Sequence, residues 1–171
     1  SAADAGAAIS EAITGKPQLT NYDRDVMIRT IHGEAGRESD IGQAGVAHVI
    51  MNRVDDPRWG DNPAEVSLQL KQFSAWNSGT GGNSLPTKLE EGSEQYERIG
   101  RIVDGVAAGD IGDPTGGATH YYSPKGMAAH VAAGEQSNEI PTWLGQESQA
   151  RGHDNVTIGG HIFTGLKREG E

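Results

Sequence analysis

Apolar residues recur at helical spacing through the first two thirds of the chain and alternate in its last third. Val26, Met27, Thr30 and Ile31 give a rough apolar face to a first core helix. Thr20 or Asn21 can cap it, and it is expected to end near Gly33. A better-patterned helix follows, with Ser39 or Asp40 as cap and Ala47, Ile50, Met51 and Val54 at i, i+3, i+4 and i+7. Pro57 and Gly60 stop it. A short helix after Pro63 carries Val66, Leu68 and Leu70, and a glycine-rich loop covers 79–84. A third strong helix is predicted over 87–108, with Tyr96, Ile99, Val103 and Val106 on one stripe and Gly109 as its stop. Beyond it, 118–122 reads as a strand, 124–150 as irregular, and 156–163 as a second strand with Gly159 and Gly160 at a bulge or turn. No internal repeat is visible. The expected class is α+β, dominated by helices, with a small late β element.

Residues 1–19 are rich in Ala, Ser and Gly, and Gly15 and Pro17 break the short helix that Ala7 to Ile13 would form. They read as a flexible leader or linker, and the chain opens on Ser1 as a processed or engineered end would. The core domain is expected over 20–167, followed by a fraying tail at 168–171. The length of 171 residues suits one domain of ordinary size. The 25 glycines predict long loops. A formal charge of −10, with 24 acidic against 14 basic residues, leaves no basic patch to neutralise phosphates, so nucleic acid is not an expected partner. The same acidity means that any anionic polymer would be recognised by local contacts rather than bulk charge. Without cysteine, the chain has no disulfides, no thiol nucleophile and no Cys-ligated zinc. No run has the length of a membrane-spanning helix, and a monomer is expected.

Glu34 is the leading candidate for chemistry. It sits where an apolar stretch runs into glycines, in Ile31-His32-Gly33-Glu34-Ala35-Gly36-Arg37-Glu38. A carboxylate at such a junction can be partly desolvated, and burial raises its pKa toward that of a proton donor. The bland reading makes Glu34 and Glu38 exposed carboxylates near helix ends, and Asp40 a helix cap. Gln72-Phe73-Ser74-Ala75-Trp76 offers aromatic faces for the C–H faces of sugars and amide and hydroxyl groups for their substituents, or else packs Phe73 and Trp76 into the core. In His120-Tyr121-Tyr122, alternation puts Tyr121 on the face opposite His120 and Tyr122. A tyrosine hydroxyl near the acid would orient substrate or steady the carboxylate. His161 and Phe163 share one face of the last strand, and His161 also reads as a structural histidine. His32, His48, His120 and His161 leave a histidine-only metal site open. The His32-Gly33-Glu34 fragment lacks the two cysteines that a zinc deaminase needs, and no HExxH spacing occurs.

A glycosidase of ordinary type sets two carboxylates across the scissile bond. A second one is hard to name, since Asp55, Asp56 and Asp61 read as solvated turn residues. A single acid suffices if it protonates the glycosidic oxygen and then takes a proton from a hydroxyl of the sugar itself, which closes an internal anhydro ring.

The ordered motifs resemble those of the SleB-type cell wall hydrolases, the family of the spore-cortex-lytic enzymes. They read Gly33-Glu34-Ala35-Gly36-Arg37-Glu38, then Gly42-Gln43-Ala44-Gly45-Val46-Ala47-His48-Val49-Ile50-Met51-Asn52-Arg53-Val54. Gln72-Phe73-Ser74, the Gly117 to Tyr122 element, Pro141 and Trp143, and Ile158-Gly159-Gly160-His161-Ile162-Phe163 follow. The likeness spans about residues 22 to 164, with two departures. The family's Arg-Gly order after Glu-Ala is inverted here, and Thr164 stands where an aromatic is usual.

The resemblance implies a lysozyme-like fold with the catalytic glutamate at Glu34. It implies a peptidoglycan lytic transglycosylase that cleaves the MurNAc–GlcNAc bond without cofactor or metal, its partner being the glycan strand. Gln72, Phe73, Ser74, His120, Tyr121, Tyr122 and His161 are the expected substrate-binding residues. The implied location is the cell envelope, periplasmic or exported, or a phage-encoded lysis or virion protein acting on the wall. The rivals are a muramidase hydrolysing the same bond, a metal-dependent N-acetylmuramoyl-L-alanine amidase, and a non-catalytic wall-binding or virion domain.

Overall fold

The computed structural model describes residues 18–78, 89–133 and 155–165, with backbone only at 71–78 and 130–131. The expected leader, tail and glycine-rich loop at 79–84, with Pro141 and Trp143, lie outside the described residues. Helix α1 (Asn21–Ala35) opens on a capping box. The Thr20 hydroxyl accepts from the Asp23 N–H (3.0 Å) and the Asp23 carboxylate accepts from the Thr20 N–H (3.3 Å). The other Asp23 oxygen accepts from Ala64 N–H (3.1 Å), so one side chain ties together the starts of two helices. Val26, Met27, Thr30 and Ile31 are buried, as their spacing predicts. The helix continues through Gly33 to Ala35, two residues past the predicted end, so that Glu34 stands in its last turn.

Helix α2 (Asp40–Val54) is capped by Ser39. It packs against α1, α3 (Pro63–Ser78), α4 (Glu94–Ala108) and strand β1 (His120–Tyr122). Surrounded in this way, it buries Gln43 and Arg53 as well as Ala47 and Ile50. Helix α3 begins with Pro63 in the first helical position and Asn62 capping Glu65 N–H (2.9 Å). It is longer than the short helix predicted and carries the backbone of the whole 72–76 segment. Its packing on α1, α2 and α5 supplies support that local sequence does not show. Helix α4 starts at the Ser93 cap rather than near 87, behind turns at 89–92. Gly109 ends it in the left-handed conformation (φ 81°).

The region expected to be irregular opens with a helix, α5 (Pro124–Ala132). The predicted strand over 156–163 is a hairpin, β2 (Val156–Ile158) and β3 (His161–Thr164), turning at Gly159 (φ 57°). Among the described residues the sheet is antiparallel in the order β1-β3-β2, with Tyr121 opposite Phe163 and Ile158 opposite His161. One core cluster joins the helices to Tyr121 and Phe163, and a smaller one gathers Tyr122, Met127 and Ile162. The architecture is the helix-dominated α+β arrangement that the periodicity predicts.

Candidate active site

The site begins at the C-terminal end of α1, where four backbone carbonyls lack helical partners. The Ala35 carbonyl accepts from the buried Gln43 amide (3.0 Å) and from Glu38 N–H (3.0 Å), and the Gly36 carbonyl accepts from Gln95 (3.2 Å). These bonds fix the turn that carries Glu34, whose side chain is half-buried. Gly36 is the C-cap, and a Cβ there would collide with the His32 carbonyl oxygen. The inverted Gly36-Arg37 order thus places glycine where the turn has no room for a side chain.

Across from this turn lies Tyr121, only 6% exposed. Burial, then the charge of Glu34 and a hydrogen bond to it, raise the Tyr121 pKa well above that of an ordinary phenol, with Arg53 opposing. No described group meets the hydroxyl in strict geometry. Such a phenol stays protonated at every physiological pH and acts as a donor.

Helix α2 positions Tyr121. Arg53, 2% exposed, donates from Nε to the Thr119 carbonyl (2.6 Å) and lies over the Trp59 ring (4.2 Å). Burial lowers its pKa to about 10, against the opposing effect of Tyr121. Asn52 donates to the Ala118 carbonyl and to Asp113 (2.9 Å each). Asp113 in turn accepts from Thr115 N–H (2.8 Å) and Gly117 N–H (3.0 Å). Burial works against the Asp113 carboxylate, yet the bonds from Asn52 and Thr115 outweigh it and lower its pKa. Asn52 and Arg53 therefore grip the two residues just before β1. Sequence reasoning gave these two, and Gln43, no role, although all three stand in the quoted motif.

Strand β3 flanks Tyr121 with His161, edge to face at 5.2 Å, and with Phe163 at 5.7 Å. Phe163 lies so close to α2 that a Cβ on Gly45 would sit 2.8 Å from its Cζ. His161 is buried and shares its Nδ1 side with Glu38 (3.8 Å). Burial lowers the His161 pKa, with Glu38 opposing. Glu38 also accepts from Gly160 N–H (3.2 and 3.3 Å to its two oxygens). It is thus a bound anchor of the β2–β3 turn rather than a free surface carboxylate. Asp56, read as a solvated turn residue, is buried and paired with Arg58 (2.5 Å).

His120 and Tyr122 lie on the opposite face of β1 from Tyr121. His120 packs edge-on against Trp59 (5.3 Å), and Tyr122 packs in the Met127 cluster, where burial raises its pKa. Gln72, Phe73 and Ser74 lie in the C-terminal half of α3, and their side chains fall outside the described ones. His32, His48, His120 and His161 point to separate places. His48 meets the Ile111 carbonyl (2.8 Å) and His120 the Thr119 hydroxyl (2.9 Å), while Nδ1 of His32 and Nδ1 of His161 are buried without a hydrogen-bond partner, the latter 3.8 Å from Glu38. Among the described residues no group of three or more His, Asp or Glu is arranged to hold a metal ion, and no helix is long and apolar enough to cross a membrane.

The described residues form a helix-dominated α+β domain with Glu34 in the last turn of α1 and a small antiparallel sheet packed against the helices. The chain belongs to the cell wall hydrolase family, whose model matches residues 37–164. That match begins three residues after Glu34. The spore cortex-lytic enzyme of Halalkalibacterium halodurans is 31% identical over 123 residues, 72% of this chain and 34% of that protein. The spore cortex-lytic enzyme of Oceanobacillus iheyensis is 28% identical over 102 residues, 60% of this chain and 33% of that one. The chain spans about a third of the length of these curated relatives. The fold is shared with the catalytic domain of Bacillus cereus SleB, at TM-score 0.58 and 24% identity, covering 88% of this chain and 96% of that one. It is also shared with the catalytic domain of the germination-specific lytic transglycosylase SleB from Bacillus anthracis, at TM-score 0.56 and 23% identity, covering 85% and 96%.

Proposed function

We propose that residues 20–167 form a peptidoglycan lytic transglycosylase domain that cleaves the MurNAc–GlcNAc bond, with Glu34 as acid and then base. The observation that carries this reading is the half-buried Glu34 beside the buried Tyr121 hydroxyl. The next carboxylate along the chain, Glu38, already accepts the Gly160 N–H. Protonated Glu34 gives its proton to the glycosidic oxygen as the C1–O bond breaks, and positive charge develops on the MurNAc ring. The Glu34 carboxylate then takes the proton of the same sugar's C6 hydroxyl while O6 bonds to C1. The products are a 1,6-anhydro-MurNAc end and a free GlcNAc hydroxyl, and Glu34 regains its proton without a water molecule.

Tyr121 has its part in the middle of this cycle. A phenol held protonated donates to the carboxylate that exists between the two proton transfers, and so favours the ionised form of Glu34. Gln72, Phe73 and Ser74 on α3 are the proposed substrate contacts; His120 and Tyr122, expected among them, are buried on the face of β1 away from Tyr121, and His161 is buried against the Tyr121 ring, so these three support the sheet instead. The site of action is the cell envelope or, for a phage protein, the wall of the host.

Mass spectrometry of digested sacculi tests the reading. Anhydro-muropeptides are the expected products, and reducing-end muropeptides would mean a hydrolytic muramidase. EDTA leaves a glutamate-only reaction unchanged, whereas it abolishes a metal-dependent amidase.

A further inference from the structure

We propose that Glu38 is a positioning residue for the Glu34 reaction: it clamps the β2–β3 turn and, through His161, holds Tyr121 against the acid. The proposal rests on the transglycosylase reading of Glu34. Glu34 and Glu38 leave α1 in one short turn, itself fixed by the Gln43 and Gln95 bonds to Ala35 and Gly36. The Glu38 stem lies against α2, where a Cβ on Gly42 would meet Glu38 Cβ at 3.1 Å. Its carboxylate reaches across to β3 and takes the Gly160 N–H with both oxygens.

The turn is shaped around that carboxylate. A Cβ on Gly159 would collide with one Glu38 oxygen, and a Cβ on Gly160 would come within 2.7 Å of the other. The next residue, His161, lies 3.8 Å from Glu38 and meets the Tyr121 ring edge to face. The loop therefore closes on itself, from Glu34 along the chain to Glu38, across to Gly160 and His161, and back through Tyr121 to Glu34. The segment that presents the acid also fixes the distance to the group facing it. Losing the Glu38 contact frees the hairpin to drift, and a displacement of about 1 Å at a reacting pair costs up to about a hundredfold in rate.

Three variants, assayed on soluble glycan-strand oligomers, test this. Glu38→Gln keeps one oxygen for Gly160 N–H and loses the charge beside His161; Glu38→Ala loses both. The account predicts that Glu38→Gln retains kcat within about threefold, while Glu38→Ala falls about tenfold to a hundredfold in kcat with KM little changed. Where Glu38→Ala fails to fold, Glu38→Asp replaces it: the shortened side chain withdraws from the turn, and the same loss in kcat is expected. NMR titration supplies a readout independent of activity, in which the His161 pKa falls in Glu38→Gln because the opposing charge is gone.

Equal loss in Glu38→Gln and Glu38→Ala would overturn the proposal and make Glu38 a reacting carboxylate. Wild-type activity in Glu38→Ala, or an unmoved His161 titration, would overturn it as well. Failure of the underlying reading looks different: the unsubstituted protein would yield no anhydro ends, whatever residue stood at 38.

Discussion

Arg53 donates its Nε–H to the carbonyl of Thr119 across 2.6 Å, two residues before the tyrosine that faces Glu34. A buried cation without a carboxylate partner among its described contacts is costly to keep. Here its cost is offset by the Trp59 face and by the backbone it organises. Replacing it with an apolar side chain of similar length leaves the Thr119 carbonyl unsatisfied. Arg53→Met is expected to lower unfolding stability by about 1.5–3 kcal/mol in urea titration, and to lower activity beyond the loss of folded protein. Unchanged activity per folded molecule would separate Arg53 from the site.

Tyr121→Phe removes a hydroxyl that is buried without a well-formed hydrogen bond. Deleting such a group is close to neutral for stability. The same change takes away a donor to ionised Glu34, so the Glu34 pKa rises and the alkaline limb of the pH–rate profile moves up. The expected result is an unchanged melting temperature with activity reduced about tenfold or more. A stability loss with an unshifted profile would assign Tyr121 to packing alone.

Much of this frame is legible in the sequence. The apolar stripes of α1 and α4, the Ser39 cap and the Gly109 stop follow from spacing and turn chemistry. Alternation alone separates Tyr121 from His120 and Tyr122. The extension of α1 past Gly33 is not legible, because the bonds that support its end come from Gln43 and Gln95, distant in sequence. Neither is α5, whose nine residues lack a clear apolar period. Glu38 resembles any surface carboxylate until the hairpin 122 residues later is folded against it. Arg53 looks like a solvated charge at a helix end, and only the encirclement of α2 makes it a buried one.

At Gly45, α2 packs directly against the Phe163 ring of β3. An alanine there would force the buried Phe163 ring to move, and overpacking of this kind costs about 1–3 kcal/mol. Because Phe163 is the cross-strand partner of Tyr121, Gly45→Ala is expected to lower activity as well as the urea midpoint. A variant as stable and active as the parent would show that the ring relaxes freely.

His161 makes stability fall with acid. Burial lowers its pKa below the ordinary 6.5, and His32, also lowered by burial, acts in the same direction. As the pH falls, the unfolded chain takes up these protons before the folded one does. The stability from holding the histidines neutral is therefore complete above their unfolded pKa and is lost progressively below it. Urea midpoints should drop between about pH 7 and about pH 5, and His161→Gln should flatten part of that slope. A midpoint that rises over this range would contradict the burial of His161.

The central claim is that Glu34 alone transfers the proton in both directions. Its most direct test is muropeptide mass spectrometry on purified sacculi digested with the parent protein and with Glu34→Gln, each checked for folding. The account predicts anhydro-muropeptides from the parent and a loss of about a hundredfold or more in their yield from Glu34→Gln. Reducing-end products from the parent, or anhydro products undiminished in Glu34→Gln, would contradict it.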